Sequence, residues 1–106
     1  MTELDQLVTQ IKQSTDYQIN KRILREKMQT DLHFAYNGGL FKADPSIYSF
    51  VILWQGDPAA LFLEDIYKNP IKVIQQEFID LCTQHYQQVM NDWHIQHEEI
   101  KRARKI

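Results

Sequence analysis

Apolar residues recur along the first dozen positions as Leu4, Leu7, Val8 and Ile11. That spacing draws one stripe on a helix. Thr2 suits its N-cap, with Asp5 three residues on. "QSTD" follows, and its side chains compete for backbone hydrogen bonds, so the helix is expected to loosen there. Asp16 can cap a second helix, "YQINKRILREKMQ", with Ile19, Ile23, Leu24 and Met28 inward and Lys21, Arg22, Arg25 and Lys27 outward. Two helices or one continuous helix both fit the pattern.

The periodicity then breaks. Asn37-Gly38-Gly39 is a turn signal, since these residues reach positive φ at little cost. Its flanks, Leu32–Tyr36 and Leu40–Lys42, read as short strands around a tight turn or as an extended connector. "DPSIYSFVILWQG" carries conflicting signals. Its β-branched and aromatic content suits a strand. Asp44-Pro45 suits a helix start, and Ile47, Phe50, Val51 and Trp54 repeat at helical spacing toward Gly56 as a C′ residue. The helix is the favoured reading of residues 45–55, and its apolar faces predict a largely buried element. After a second Asp-Pro, Leu61–Asp65 and Ile71–Ile74 read as a hairpin joined through "YKNP".

From about Gln75 to Lys105 the chain has neither Gly nor Pro. Ile79, Cys82, Tyr86, Val89, Trp93, Gln96 and Ile100 step alternately by three and four, an a/d seam. A helix of ~30 residues is about 45 Å long. A compact core of this size has a radius of gyration of only ~13 Å, so the last third should project unless another chain covers it. The expected arrangement packs the first half of the seam on the N-terminal helices. Tyr86, Val89, Trp93 and Ile100 are the candidate interface residues, the outer ones meeting another copy.

Length and composition sharpen this outline. A chain of 106 residues is read as a single domain, 1–106, divided into N-terminal helices (1–30), a turn, central helix and hairpin (31–74) and a long C-terminal helix (75–106). The fold class is α+β, mostly helical. Its predicted core comprises Leu7, Ile11, Ile23, Leu24, Phe50, Val51, Trp54, Leu61, Leu63, Phe78, Cys82, Tyr86 and Val89. A net charge of −2 excludes a uniformly basic nucleic-acid binder. The charge is unevenly spread, with basic segments at both ends and only Lys68 and Lys72 as cations between residues 43 and 100. A lone cysteine, Cys82, rules out an internal disulfide and suits a reducing cytoplasm. No basic start leads into an apolar core, so no signal peptide is read, and no apolar run approaches the ~18 residues of a membrane span.

Candidate chemistry concentrates in "NDWHIQHEEIKRARKI". His94, His97 and Glu98 share a helix face and could offer three ligands to one metal, completed by another helix. A solvated polar face accounts for the same residues more plainly. Tyr86 and Trp93 could stack on bases, although aromatics at helical spacing usually pack. Lys101, Arg102, Arg104 and Lys105 can complement the helix macrodipole. With Arg22 and Arg25 they also form the candidate nucleic-acid grip, Arg22, Arg25, Arg102, Arg104 and Lys105. Cys82 with His85 three residues on is a weak nucleophile pair, and a buried inert thiol is the simpler account. No constellation satisfies both the spacing and the roles of an enzyme, and no cofactor is implied.

Finally, "DLHFAYNGGLFKADP", "LFLEDIYKNPIKV" and "WHIQHEEIKRARK" resemble small uncharacterised proteins of tailed marine cyanophages and ocean metagenomes. The resemblance covers most of the chain and carries no activity to particular residues. It implies a viral protein made in a bacterial cytoplasm. Together these features point to a non-enzymatic interaction or assembly protein that self-associates through helices, with another viral or host protein as a further partner. The alternative is a nucleic-acid-binding or transcription accessory module. No membrane partner is expected.

Overall fold

The computed structural model describes residues 2–103. Three helices and two small antiparallel hairpins alternate as α1 (Glu3–Asp31), β1 (His33–Tyr36), β2 (Gly39–Lys42), α2 (Pro45–Leu53), β3 (Leu61–Glu64), β4 (Pro70–Val73) and α3 (Gln75–Ala103). The α+β, mostly helical class read from the sequence is the observed one. The molecule is long, 70 × 22 × 20 Å, with the hairpins and α2 at one end and the helix pair running away from them.

The chain settles the N-terminal ambiguity as one helix. Thr2 caps it through a reciprocal pair, its hydroxyl accepting from the Asp5 N–H at 3.2 Å while the Asp5 carboxylate accepts from the Thr2 N–H at 3.4 Å. The expected loosening at Ser14–Asp16 does not occur. Thr15 Oγ1 donates to the Ile11 carbonyl at 2.9 Å, satisfying its hydroxyl inside the helix instead of competing with it. Asp16 is therefore a mid-helix residue rather than a cap.

Of the two readings for 32–42, the hairpin is the one formed. Asn37 and Gly38 have φ of +46° and +82° between paired Tyr36 and Gly39, the two-residue turn that matches strand twist. Gly39 serves a different need, because a Cβ there would sit 2.6 Å from Ile71 Cγ1 on the second hairpin. β3 and β4 pair from Leu61↔Val73 to Glu64↔Pro70. The hairpins share no ladder; Leu40 instead donates to the Asp65 carboxylate at 3.2 Å and accepts from the Ile66 N–H at 2.9 Å.

α2 is a helix, capped as its Asp-Pro start predicts: Asp44 Oδ1 accepts from the Ser46 and Ile47 N–H groups and the Ser46 hydroxyl. Its far end is held from outside. Gln75 Nε2 donates to the carbonyls of Val51 and Trp54 at 2.8 and 3.0 Å, satisfying acceptors that a helix C-terminus leaves free. Gly56 is not the C′ residue; the helix stops at Leu53, Trp54 turns extended, and its indole folds back over Gly56. The expectation that α2 is largely buried is corrected. Only Val51 is fully inside, while Phe50, Ile52 and Leu53 face outward.

The core centres on Phe78 in the first turn of α3. Rings of Phe34, Tyr36 and Phe41 surround it at centroid distances of 5.5, 5.7 and 5.2 Å, two of them edge-on, the geometry aromatic quadrupoles prefer. Val51, Leu61, Leu63, Val73 and Cys82 complete it. Trp54 and Tyr86 are half-buried at its margin, and Leu24 is half-buried on α1. Leu7, Ile11, Ile23 and Phe50, expected inside, are exposed. Leu7 and Ile11 lie on a part of α1 that the core does not reach, and Ile23 lies on a face turned away from it.

Candidate interaction surface

α1 and α3 pack side by side, antiparallel. His85 Nε2 donates to the Asp31 carbonyl at 2.6 Å near one end, and Ile100 and Ala103 border Asp16, Tyr17 and Asn20 toward the other. This corrects the expected order of contacts along α3. Its first half packs on the hairpins and α2, through Phe78 and Cys82. Its second half lies on α1. The seam is real, but this chain covers much of it. Val89 is buried, Tyr86 and Trp93 pack half-buried against the core, and Ile100 is half-buried beside α1. The Trp93 indole N–H is buried with no acceptor among the described residues.

What remains open is the other helix. Leu4, Leu7, Val8 and Ile11 are 68, 52, 56 and 58% exposed, and Ile19 and Ile23 are 40 and 53% exposed. The side of α1 that meets the rest of the chain runs through Tyr17, Leu24 and Met28. At about 100° per residue, the line through Leu4 and Ile11 lies roughly a third of a turn from it. Residues 3–12 also extend past the α1 positions that Ala103, the last described residue of α3, reaches. The first apolar stripe read from the sequence therefore exists as a helix face, and it points to solvent. Isolated exposed apolar side chains are ordinary; a contiguous stripe marks a contact site.

The basic candidates divide. Arg22, Arg25 and Arg102 are exposed, with Lys21, Lys27 and Lys101 beside them in sequence. Arg104 and Lys105 lie outside the described residues. The metal candidates gain no help. His94 is exposed, His97 lies half-buried with its ring 6.3 Å from that of Trp93, and Glu98 is half-buried. No three metal-type ligands gather anywhere among the described residues.

A cleft of about 260 Å³ lies between the start of α2 and α3, lined by Ala43, Asp44, Pro45, Tyr48, Cys82, Thr83 and Tyr86. Its groups are set for structure rather than reaction. Burial, followed by the nearby Asp44 charge, pushes the Cys82 thiol up to about 11, so it stays protonated and a poor nucleophile. His85 does not activate it, being engaged with the Asp31 carbonyl and tilted against the ring of Phe34 at 5.7 Å. Burial raises the Asp44 carboxyl, but hydrogen bonds from Ser46 and Ile47 and the charge of Lys42 outweigh it and hold the group below the usual range.

Asp65 is a residue whose importance sequence reasoning missed. Among the described residues it is the one charged group buried with the core, and Oδ1 accepts from the N–H groups of Asn69 and Tyr67 at 2.9 and 3.0 Å. The Asn69 bond most strongly lowers its carboxyl below the ordinary value; burial opposes this, and the Leu40 and Tyr67 bonds add to it. An Asp opening a five-residue strand connection was the available signal. Compared with protein-family models, curated proteins and solved structures, the chain matches none.

Proposed function

We propose that the protein is a non-enzymatic interaction or assembly protein that associates through its helices, with the free face of α1 as the contact surface. The observation that carries this is the exposed stripe Leu4–Leu7–Val8–Ile11 on a helix end that the rest of the described chain leaves uncovered. Neutral Cys82, engaged His85 and the bonded carboxylates of Asp44 and Asp65 support a non-catalytic role. The setting, following the resemblance, is a phage-infected bacterial cytoplasm; no helix among the described residues is long and apolar enough to cross a membrane. The test is light scattering on a sizing column at low and high salt, for the natural chain and for Leu7→Lys/Ile11→Lys. The natural chain is expected to run as a dimer or larger at both salts and the variant as a folded monomer. A natural chain that stays monomeric at high concentration removes the self-association.

A second reading draws on Arg22, Arg25 and Arg102, exposed on two helices that lie side by side. It makes the protein a nucleic-acid accessory module. Affinity falling steeply with salt, and lost on Arg22→Glu/Arg25→Glu, would support it.

A further inference from the structure

We infer that the occupant of the free α1 face is α1 of a second copy, laid antiparallel about a two-fold axis at the level of Gln13. This rests on the interaction reading above and specifies its partner. The face is not confined to the tip. Leu4, Leu7, Val8, Ile11, Thr15, Gln18, Ile19 and Arg22 fall within one strip of α1 at about 100° per residue, and all are exposed. Turning a second α1 end for end about the level of Gln13 brings Leu7 opposite the partner subunit's Ile19, and Ile11 opposite the partner subunit's Thr15. Leu7 and Ile11 are then met by an apolar or β-branched residue, while Val8 lies along the stem of the partner subunit's Gln18 and Leu4 along that of the partner subunit's Arg22.

Charge selects this orientation. The first half of α1 carries Glu3, Asp5 and Asp16 against Lys12. The second half carries Lys21, Arg22, Arg25 and Lys27 against Glu26 and Asp31. In an antiparallel pair, residues on the same edge of each helix face one another. Glu3 then approaches the partner subunit's Lys21 and Arg25, and Lys12 approaches the partner subunit's Asp16, each pair occurring twice by symmetry. A parallel pair sets the cations of one copy against the same cations of the other, which is unfavourable along the whole second half. Opposed macrodipoles favour the same choice.

Space and size agree. The strip is roughly a third of a turn from the side that meets α3, so each copy's α3 stays on the outside of the pair. With roughly 80 Å² of surface available per side chain, Leu4, Leu7, Val8, Ile11, Thr15 and Ile19 from two copies supply on the order of 1,000 Å². That is the size at which a specific interface becomes reasonable.

The test is disulfide trapping with the full chain, using Leu7→Cys and Ile19→Cys as separate proteins and as an exchanged mixture under mild oxidation. Both positions are exposed, so the fold tolerates the change, and Cys82 is 1% exposed and stays out of the reaction. The expected result is a covalent dimer containing one chain of each kind, several-fold more abundant in the mixture than any dimer in either protein alone. Dimers of Leu7→Cys alone, undiminished in the mixture, mean a parallel pair and overturn the inference. Association without trapping in any sample means that α1 docks elsewhere, overturning the inference while the interaction reading stands. A natural chain that is monomeric by light scattering removes both.

Discussion

α1 and α3 are the same length, 29 residues each, and each carries an apolar repeat. Their fates differ. The α3 seam buries Phe78, Cys82 and Val89, while the α1 stripe leaves Leu4, Leu7, Val8 and Ile11 more than half exposed. The difference lies in what stands opposite. α3 follows directly on the second hairpin, and its first turn delivers Phe78 among Phe34, Tyr36 and Phe41. Among the described residues, α1 meets the rest of the chain from about Gln13 onward. An apolar period shows that a helix has a face to cover; it does not show whether the same chain covers it.

The sharpest way to break this comparison is to truncate one side chain on each helix. Phe78→Ala should cost about 3–5 kcal/mol, the range for removing a buried aromatic. That is a large share of the ~5–15 kcal/mol holding a typical domain. Chemical denaturation should show a folded fraction greatly reduced or absent. A loss below ~1 kcal/mol would mean that the aromatic cluster is not the centre of stability.

Much of this asymmetry lay within reach of the sequence. The α3 seam, the Asp44-Pro45 start of α2, the Thr2 cap and both turns follow from local chemistry, and each is found in place. For α1 the pattern left one helix or two open, and the expected loosening at "QSTD" is the step that did not hold. The two-helix alternative would have given Leu4–Ile11 and Leu24–Met28 separate helices, each free to turn its own apolar side inward. In one rigid helix those lines are roughly a third of a turn apart. Both cannot face one partner, and the partner α1 has is on the Met28 side. Thr15 bonding within the helix decided the matter, and a threonine is compatible with either outcome. The contributions of Phe41, Val73 and Asp65 were illegible for another reason. They depend on the two hairpins meeting across the fold, and no local period encodes that.

Asp65 tests the head end of the comparison at the next level of effect. Asp65→Asn keeps the shape but replaces an ionic acceptor serving the N–H groups of Leu40, Tyr67 and Asn69. Stability should fall by less than for Phe78→Ala, and the pH dependence should change with a definite sign. The folded carboxyl sits below the unfolded value of ~3.9. Its contribution is therefore complete above that pH and lost as pH falls through the folded value. Thermal scans from pH 6 down to pH 2 should show a shallower acid decline in the variant, with the remaining slope including Asp44, which is also depressed. Identical acid slopes in both proteins would remove Asp65 as the link between the hairpins.

The smallest expected effect is the most telling one for α1. Ile11 is 58% exposed, so Ile11→Ala in dilute protein uncovers no core and opens no cavity. Alanine is also the better helix former, by a few tenths of a kcal/mol. The two contributions oppose each other at small magnitude, so the unfolding free energy of the monomer should change by no more than ~0.5 kcal/mol, and toward stabilisation if propensity dominates. Raising the protein concentration reverses the expectation. Where copies associate, the natural chain gains stability by mass action, and the variant gains less. Midpoints measured at two concentrations a hundred-fold apart should separate the two proteins only at the higher one. A loss of 2 kcal/mol or more already present in the dilute sample would place Ile11 in the fold's own core, erasing the contrast between the two helices.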